Sequence, residues 1–267
     1  MTMLDPAERS ARGIAAQTEL TGAAPAQPAT LLEESWRDFI YAEVWTRPGL
    51  DRRARFLISL ASCASNNGPK DALDGYVRGA LTTGALSLAE LREAALHLAV
   101  YSGWDKGAEL DAAITRVQDA LGLEPVRLDP IRGAAWDEQT RMEQGAAEFV
   151  KVMTFGGPQP GNGFPYLQDG ILKFVFGEMW CRRGLDERSR RWITLVGVAD
   201  SRADTPIKSH FHAAMKSGNC TPAELHEFVL QYAIHAGWPK ASEIQGAVFA
   251  MAANFENGLS WAGEKPA

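Results

Sequence analysis

Cysteine is scarce in this chain of 267 residues, and the three present, Cys63, Cys181 and Cys220, lie far apart with no CxxC pair. That excludes a disulfide framework, and no metal-ligand spacing of Cys and His suggests a zinc site, so no metal or other cofactor is expected. Apolar runs are short: none approaches the roughly 20 residues that span a bilayer. The first residues, MTMLDPAERSARG, are charged and lack the apolar centre of a secretion signal. The expectation is a soluble, cytoplasmic protein without a membrane partner. Basic charge is not in excess either; the net charge of −6 gives no reason to expect nucleic acid. Apolar and polar residues never alternate with period two for long enough to make a sheet. With 46% hydrophobic and 22% charged residues, the chain can bury one large core or two modest ones.

What is present is helical, and the chain is organised around residues 204–240. Thr205 followed by Pro206 reads as an N-cap with proline at the first helical position, and Gly218 as the stop. The next helix is marked by Thr221-Pro222-Ala223-Glu224, a capping box, and by Gly237, where a left-handed C-cap is expected. Between them Leu225, Phe228, Val229, Tyr232 and Ala236 recur every three or four residues, which lays one apolar stripe along the helix.

Sliding the chain along itself by 135 residues pairs YAEVWTRPGLDRRARFLISL, from Tyr41, with FGEMWCRRGLDERSRRWITL, from Phe176. A shift of 134 then pairs Gly84 with Gly218, Glu90 with Glu224, and Tyr101-Ser102-Gly103-Trp104 with His235-Ala236-Gly237-Trp238. The chain is a tandem duplication, with a seam in residues 123–137 where two prolines interrupt the helical pattern. The expected architecture is all-α: two tandem helical repeats, residues 1–125 and 126–267, forming a pseudo-dimer. The second copy carries an inserted Gly/Pro-rich loop over residues 156–163.

GEMWCRRGLDERSRRWITL and HFHAAMKSGNCTPAELHEFVLQYAIHAGWPKA resemble the carboxymuconolactone decarboxylase family, which shares G-E-x-W-x-R-x-G-L-x-x-x-x-R, then H-x-x-x-A-L-x-x-G-x-T-x-x-E, then Y-x-G-x-P. The resemblance implies helical protomers that assemble as trimers or hexamers, so a trimer of pseudo-dimers is expected here. It also implies removal of CO2 from a butenolide acid without metal or organic cofactor. Peroxidase-type relatives carry C-x-x-C-x-x-x-H, but here Ala203 and Pro206 hold the two cysteine positions before His210, so thiol peroxidase activity is not expected. The Tyr of Y-x-G-x-P is His235 in the second copy, and Tyr76 replaces the helix His in the first. The first copy is therefore expected to be structural and the second to hold the active site.

The candidate residues follow. His210 is the expected general acid/base, because an imidazole with a pKa near 6.5 can give or take a proton at neutral pH. His212, about 200° further around a helix, is a weaker candidate for the same site. Glu178, two places before Trp180, is either one half of a structural ion pair with Arg182 or Arg190, or a buried proton donor. Arg188 and Arg190 can hold a substrate carboxylate bidentately, or can form a solvated face. Trp180 is core or pocket wall, and His235 is a substrate-binding candidate. Loss of CO2 needs a sink for an electron pair, donors aimed at the sink oxygen, and an acid that reprotonates carbon. The same residues also suit isomerisation, lactone opening or cyclisation of a related ring compound, and a non-catalytic helical assembly module is the reading from another class.

Overall fold

A computed structural model describes residues 5–265 except 134, 136 and 162. The first copy comprises α1 (Pro6–Thr21), α2 (Leu31–Ser35) running into the π-helix π1 (Trp36–Val44), α3 (Arg52–Ser65), α4 (Lys70–Thr82), α5 (Leu88–Ser102) and α6 (Trp104–Ala120). The second repeats the order as α7 (Glu138–Met153), π2 (Tyr166–Trp180), α8 (Glu187–Ser201), α9 (Asp204–Lys216), α10 (Pro222–Ala236) and α11 (Trp238–Glu256). No strand occurs among the described residues, and the chain is the all-α tandem repeat that its internal periodicity implies.

Local chemistry explains most of the boundaries. Asp51 caps α3 by accepting from the Ala54 amide, and Asp186 caps α8 by accepting from Ser189, each at 2.8 Å. Ser87 with Glu90 and Thr221 with Glu224 close reciprocal capping boxes on α5 and α10. Such caps each stabilise a helix by about 1 kcal/mol.

Three local expectations need correction. Thr205 is not a cap: α9 begins at Asp204 with Ala203 as N-cap, so Pro206 falls inside the first turn, where its missing N–H costs nothing. Gly237 has φ 84° and ψ 153°, which is positive but not the left-handed helical cap. The chain there leaves α10 extended and enters α11 at the next residue, a corner that Gly103 repeats between α5 and α6 with φ 96°. The helix ending at the motif tryptophan is wound as a π-helix in both copies, which spacing of apolar residues does not reveal.

The central helices are buried all round. In α3 every residue from Ala54 to Ala64 is buried, and in α8 every residue from Ser189 to Ala199. These two pack on each other, and each also receives a helix from the other copy: α5 lies on α8, and α10 lies on α3. The copies are thus joined by a reciprocal exchange rather than by a flat seam, and one apolar core runs through both.

Candidate active site

The exchange of α5 brings residues of both copies around His210. This histidine is on α9 and only 9% exposed, and its Nδ1 has no hydrogen-bond partner among the described residues. Its ring meets the edge of Tyr101, from α5 of the first copy, with centroids 5.7 Å apart. The Tyr101 oxygen accepts a 2.8 Å hydrogen bond from the indole N–H of Trp180 at the end of π2. One turn back along α5, His97 packs 5.1 Å from Tyr101 and 5.0 Å from Trp180.

Arg191, on α8, completes the group. Its side chain is fully buried, and its guanidinium lies over the Trp180 ring at 5.2 Å, an aromatic face that favours a cation. Nη2 donates to the Val152 carbonyl of α7 at 2.8 Å, while Nε and Nη1 have no partner. The contact with Glu187 spans 4.0 Å, too long for a hydrogen bond. A buried cation with unpaired N–H groups is costly to keep unless something anionic visits it.

This surrounding sets the protonation states. Burial, and next the Arg191 charge, press the His210 pKa down to about 3, so the ring is neutral across the physiological range. The ordinary value near 6.5 expected from residue type does not hold for the ligand-free site. Burial also lifts the Tyr101 phenol to about 12, against the opposing pull of the Trp180 bond, Arg191 and the Thr194 hydroxyl, so Tyr101 keeps its proton. His97 is pushed well below its ordinary value by burial, then by Arg190, Arg191 and His210.

The other candidates are placed elsewhere or are otherwise engaged. Arg190 is buried, but it is committed to the Arg182 and Leu185 carbonyls, to Glu93 and to His97 Nδ1. Arg188 lies nearer the surface, bonded to Glu224 and Asp51 and stacked 5.1 Å over Trp192. Glu178 is buried against Arg132, with Oε1 3.1 Å from its Nε, while Oε2 is unpaired. His212 is turned away from His210, its Nε2 2.9 Å from the Leu259 carbonyl near the C-terminus. His235 belongs to the opposite end of the exchange, 3.2 Å from the Tyr76 hydroxyl. Of the expected residues, then, His210 and Trp180 come together. Arg191, Tyr101 and His97 were missed.

The first copy offers an internal comparison. Where the second copy has His210 and Arg191, the first has Tyr76 and Phe56; where α5 supplies Tyr101 and His97, α10 supplies His235 and Gln231. Tyr76 and His235 bond to each other, and Trp45 stacks on Tyr76 at 5.6 Å. That end holds no counterpart of the Arg191 cation, and burial depresses His235 to about 4. A cleft of about 330 Å³ beside Trp180, Cys181 and Arg190 has a counterpart of about 270 Å³ beside Trp45, Thr46 and Arg55. Since both ends have it, this cleft comes with the repeat and not with the His–Arg pair.

Comparison with known proteins agrees with this duplicated plan. Over 71 residues, 27% of this chain and 48% of the relative, the sequence is 39% identical to a nitrosuccinic acid decarboxylase of Metarhizium robertsii. Over 75 residues, 28% of this chain and 55% of the relative, it is 29% identical to the 4-carboxymuconolactone decarboxylase of Acinetobacter baylyi. The chain thus spans about half the length of these relatives, and both carry the name of a decarboxylase. The profile of one family matches twice, over residues 31–116 and again over 165–252, covering most of both copies. The chain belongs to the carboxymuconolactone decarboxylase family.

Proposed function

We propose that the protein decarboxylates a small organic acid whose own conjugated or nitro group takes up the electron pair, with the reaction centre between α5, α8, α9 and π2. The observation that carries this reading is Arg191: a fully buried guanidinium with two unpaired nitrogens beside a neutral histidine whose Nδ1 is also unpaired. The two relatives support it, since one is named for a nitro acid and the other for a lactone acid. Either group can accept an electron pair at oxygen. The sink then lies within the substrate, and the protein need only stabilise it.

In the forward step the bond from carbon to carboxylate breaks, CO2 departs, and the electron pair moves to the sink oxygen. A cation placed on the departing carboxylate would hold charge where it must be lost. Placed on the sink oxygen, it binds most tightly where charge appears, which lowers the barrier. Arg191 therefore faces the sink. The charge that develops there also offsets the guanidinium field that keeps His210 deprotonated, so the imidazole gains proton affinity as the intermediate forms. His210 then protonates carbon and is recharged from water. Glu178, bonded to Arg132, helps to hold the chain between the copies and has no part in the transfer.

The test is CO2 release from nitrosuccinate and from 4-carboxymuconolactone by the intact protein and by Arg191→Met. We expect turnover of at least one acid, and a loss in kcat of about 10² to 10³ in the variant, the range for removing one preorganised oxyanion donor. No turnover of any acid by the folded protein, with no acid bound by calorimetry, would leave the assembly-module reading in its place.

A further inference from the structure

The opposite end of the molecule reports on the direction of a buried hydrogen-bond chain. There Arg55 Nη1 donates to Gln231 Oε1 at 2.8 Å, and Gln231 Nε2 donates to Ser59 Oγ at 2.8 Å. At the candidate site the corresponding chain is Arg190 Nη1 to His97 Nδ1, 3.4 Å, and His97 Nε2 to Thr194 Oγ1, 2.9 Å. Arg55 and Arg190 are each anchored by the same set of partners: Glu227 and the Arg47 carbonyl at one end, Glu93 and the Arg182 carbonyl at the other. A guanidinium cannot accept a hydrogen bond, so His97 Nδ1 must carry the lone pair. Since the buried ring is neutral, its proton sits on Nε2 and points at Thr194. Gln231, which can receive and donate only in this sense here, runs the same way.

Direction matters at the far end of the chain. Thr194 receives at Oγ1, so its own O–H is free to donate, and its hydroxyl acts on Tyr101 in the sense that favours the phenolate. Trp180 already donates to the Tyr101 oxygen. A phenol oxygen that receives from both sides is left with one use for its own proton, which is to give it outward.

We infer that Tyr101 is a hydrogen-bond donor aimed at the sink oxygen of the bound acid, and that His97, acting through Thr194, is the positioning residue that fixes this direction. The inference deepens the decarboxylase reading and rests on it for the identity of the acceptor. No proton need leave Tyr101; its O–H and the Arg191 N–H groups share the charge that builds on the sink. The first copy, with His235 where Tyr101 stands, cannot offer this donor.

The test separates the wiring from the reaction. In ligand-free protein labelled with 15N-histidine and with tyrosine 13C at Cζ, His97 should show the neutral Nε2–H tautomer from pH 5 to 8. The Tyr101 Cζ signal, assigned with Tyr101→Phe, should stay in place in His97→Gln, which copies Gln231. It should move in Thr194→Val, which keeps the size and removes only the hydroxyl. In turnover of whichever acid is accepted, Tyr101→Phe should lower kcat about 10- to 100-fold with little change in KM. His97→Gln should keep kcat within a few-fold, and Thr194→Val should cost nothing further in a Tyr101→Phe background. An Nδ1–H tautomer, a Tyr101 signal indifferent to Thr194→Val, or additive losses in the double variant would each overturn the inference. Failure of decarboxylation leaves the NMR outcomes intact, so the two readings can fail separately.

Discussion

At the scale of the residue, four differences between the copies separate the candidate site from its opposite end: Arg191 against Phe56, His210 against Tyr76, Tyr101 against His235 and His97 against Gln231. His210 was legible in the sequence because the helix, the Gly stop and the following capping box all point to it. Arg191 was not, because Arg188, Arg190 and Arg191 look alike in a string, and only the burial of α8 on every side tells them apart. Comparing the copies position by position would have exposed it, since Arg191 aligns with a phenylalanine. Depression of the His210 pKa has a consequence for stability. The folded form keeps the ring neutral down to about pH 3, whereas the unfolded chain takes up a proton near its ordinary value of 6.5. Stability from this group is thus present above about pH 6.5 and is lost as pH falls, by up to about 1.4 kcal/mol per pH unit. Denaturant melts of His210→Gln between pH 6.5 and 4.5 should show a shallower decline than the parent by about one proton; an unchanged slope would mean that the ring already titrates normally in the fold.

At the scale of the element, caps and turns read well from sequence while winding and exchange did not. The capping boxes of α5 and α10 need only the four residues that make them, so local sequence suffices. The π-helices and the crossing of α5 onto α8 depend on tertiary contact, to which a period of three or four residues is blind. Gly197 shows how close that crossing is: a Cβ there would lie 2.6 Å from the Tyr101 Cβ and 3.0 Å from its carbonyl oxygen. The aligned residue in α3 is Ser62, which has room to donate to the Tyr232 carbonyl across the other crossing at 3.3 Å. Gly197→Ala should therefore push α5 and Tyr101 outward, destabilising the protein by about 1 to 3 kcal/mol as overpacking does. Turnover should fall beyond what the fraction folded explains. A variant as stable and as active as the parent would mean that α5 yields without moving Tyr101.

At the scale of the whole molecule, duplication has done more than double a helical unit. Tyr101 and His97 come from the first copy, and Arg191, Trp180 and His210 from the second, so neither half contains the candidate site alone. The surface carries large exposed aromatics at matching places, among them Trp104 and Trp238, together with Tyr166 and Phe249. Burying such groups around a rotation axis is the physical basis for proposing a trimer of these pseudo-dimers. Light scattering at micromolar concentration should give about three times 29.0 kDa, and a clean monomer mass would exclude it. The central claim is that His210 stays neutral because Arg191 stands beside it uncompensated, and that an acid bound between the copies reverses this. The most direct measurement is the pH titration of the assigned His210 ring by NMR, with and without saturating succinate as an unreactive acid. The account predicts a ring neutral to pH 5 in the free protein and a clear upward shift of its pKa in the complex. A free ring titrating near 6.5, or one whose titration is the same with and without bound acid, would contradict it.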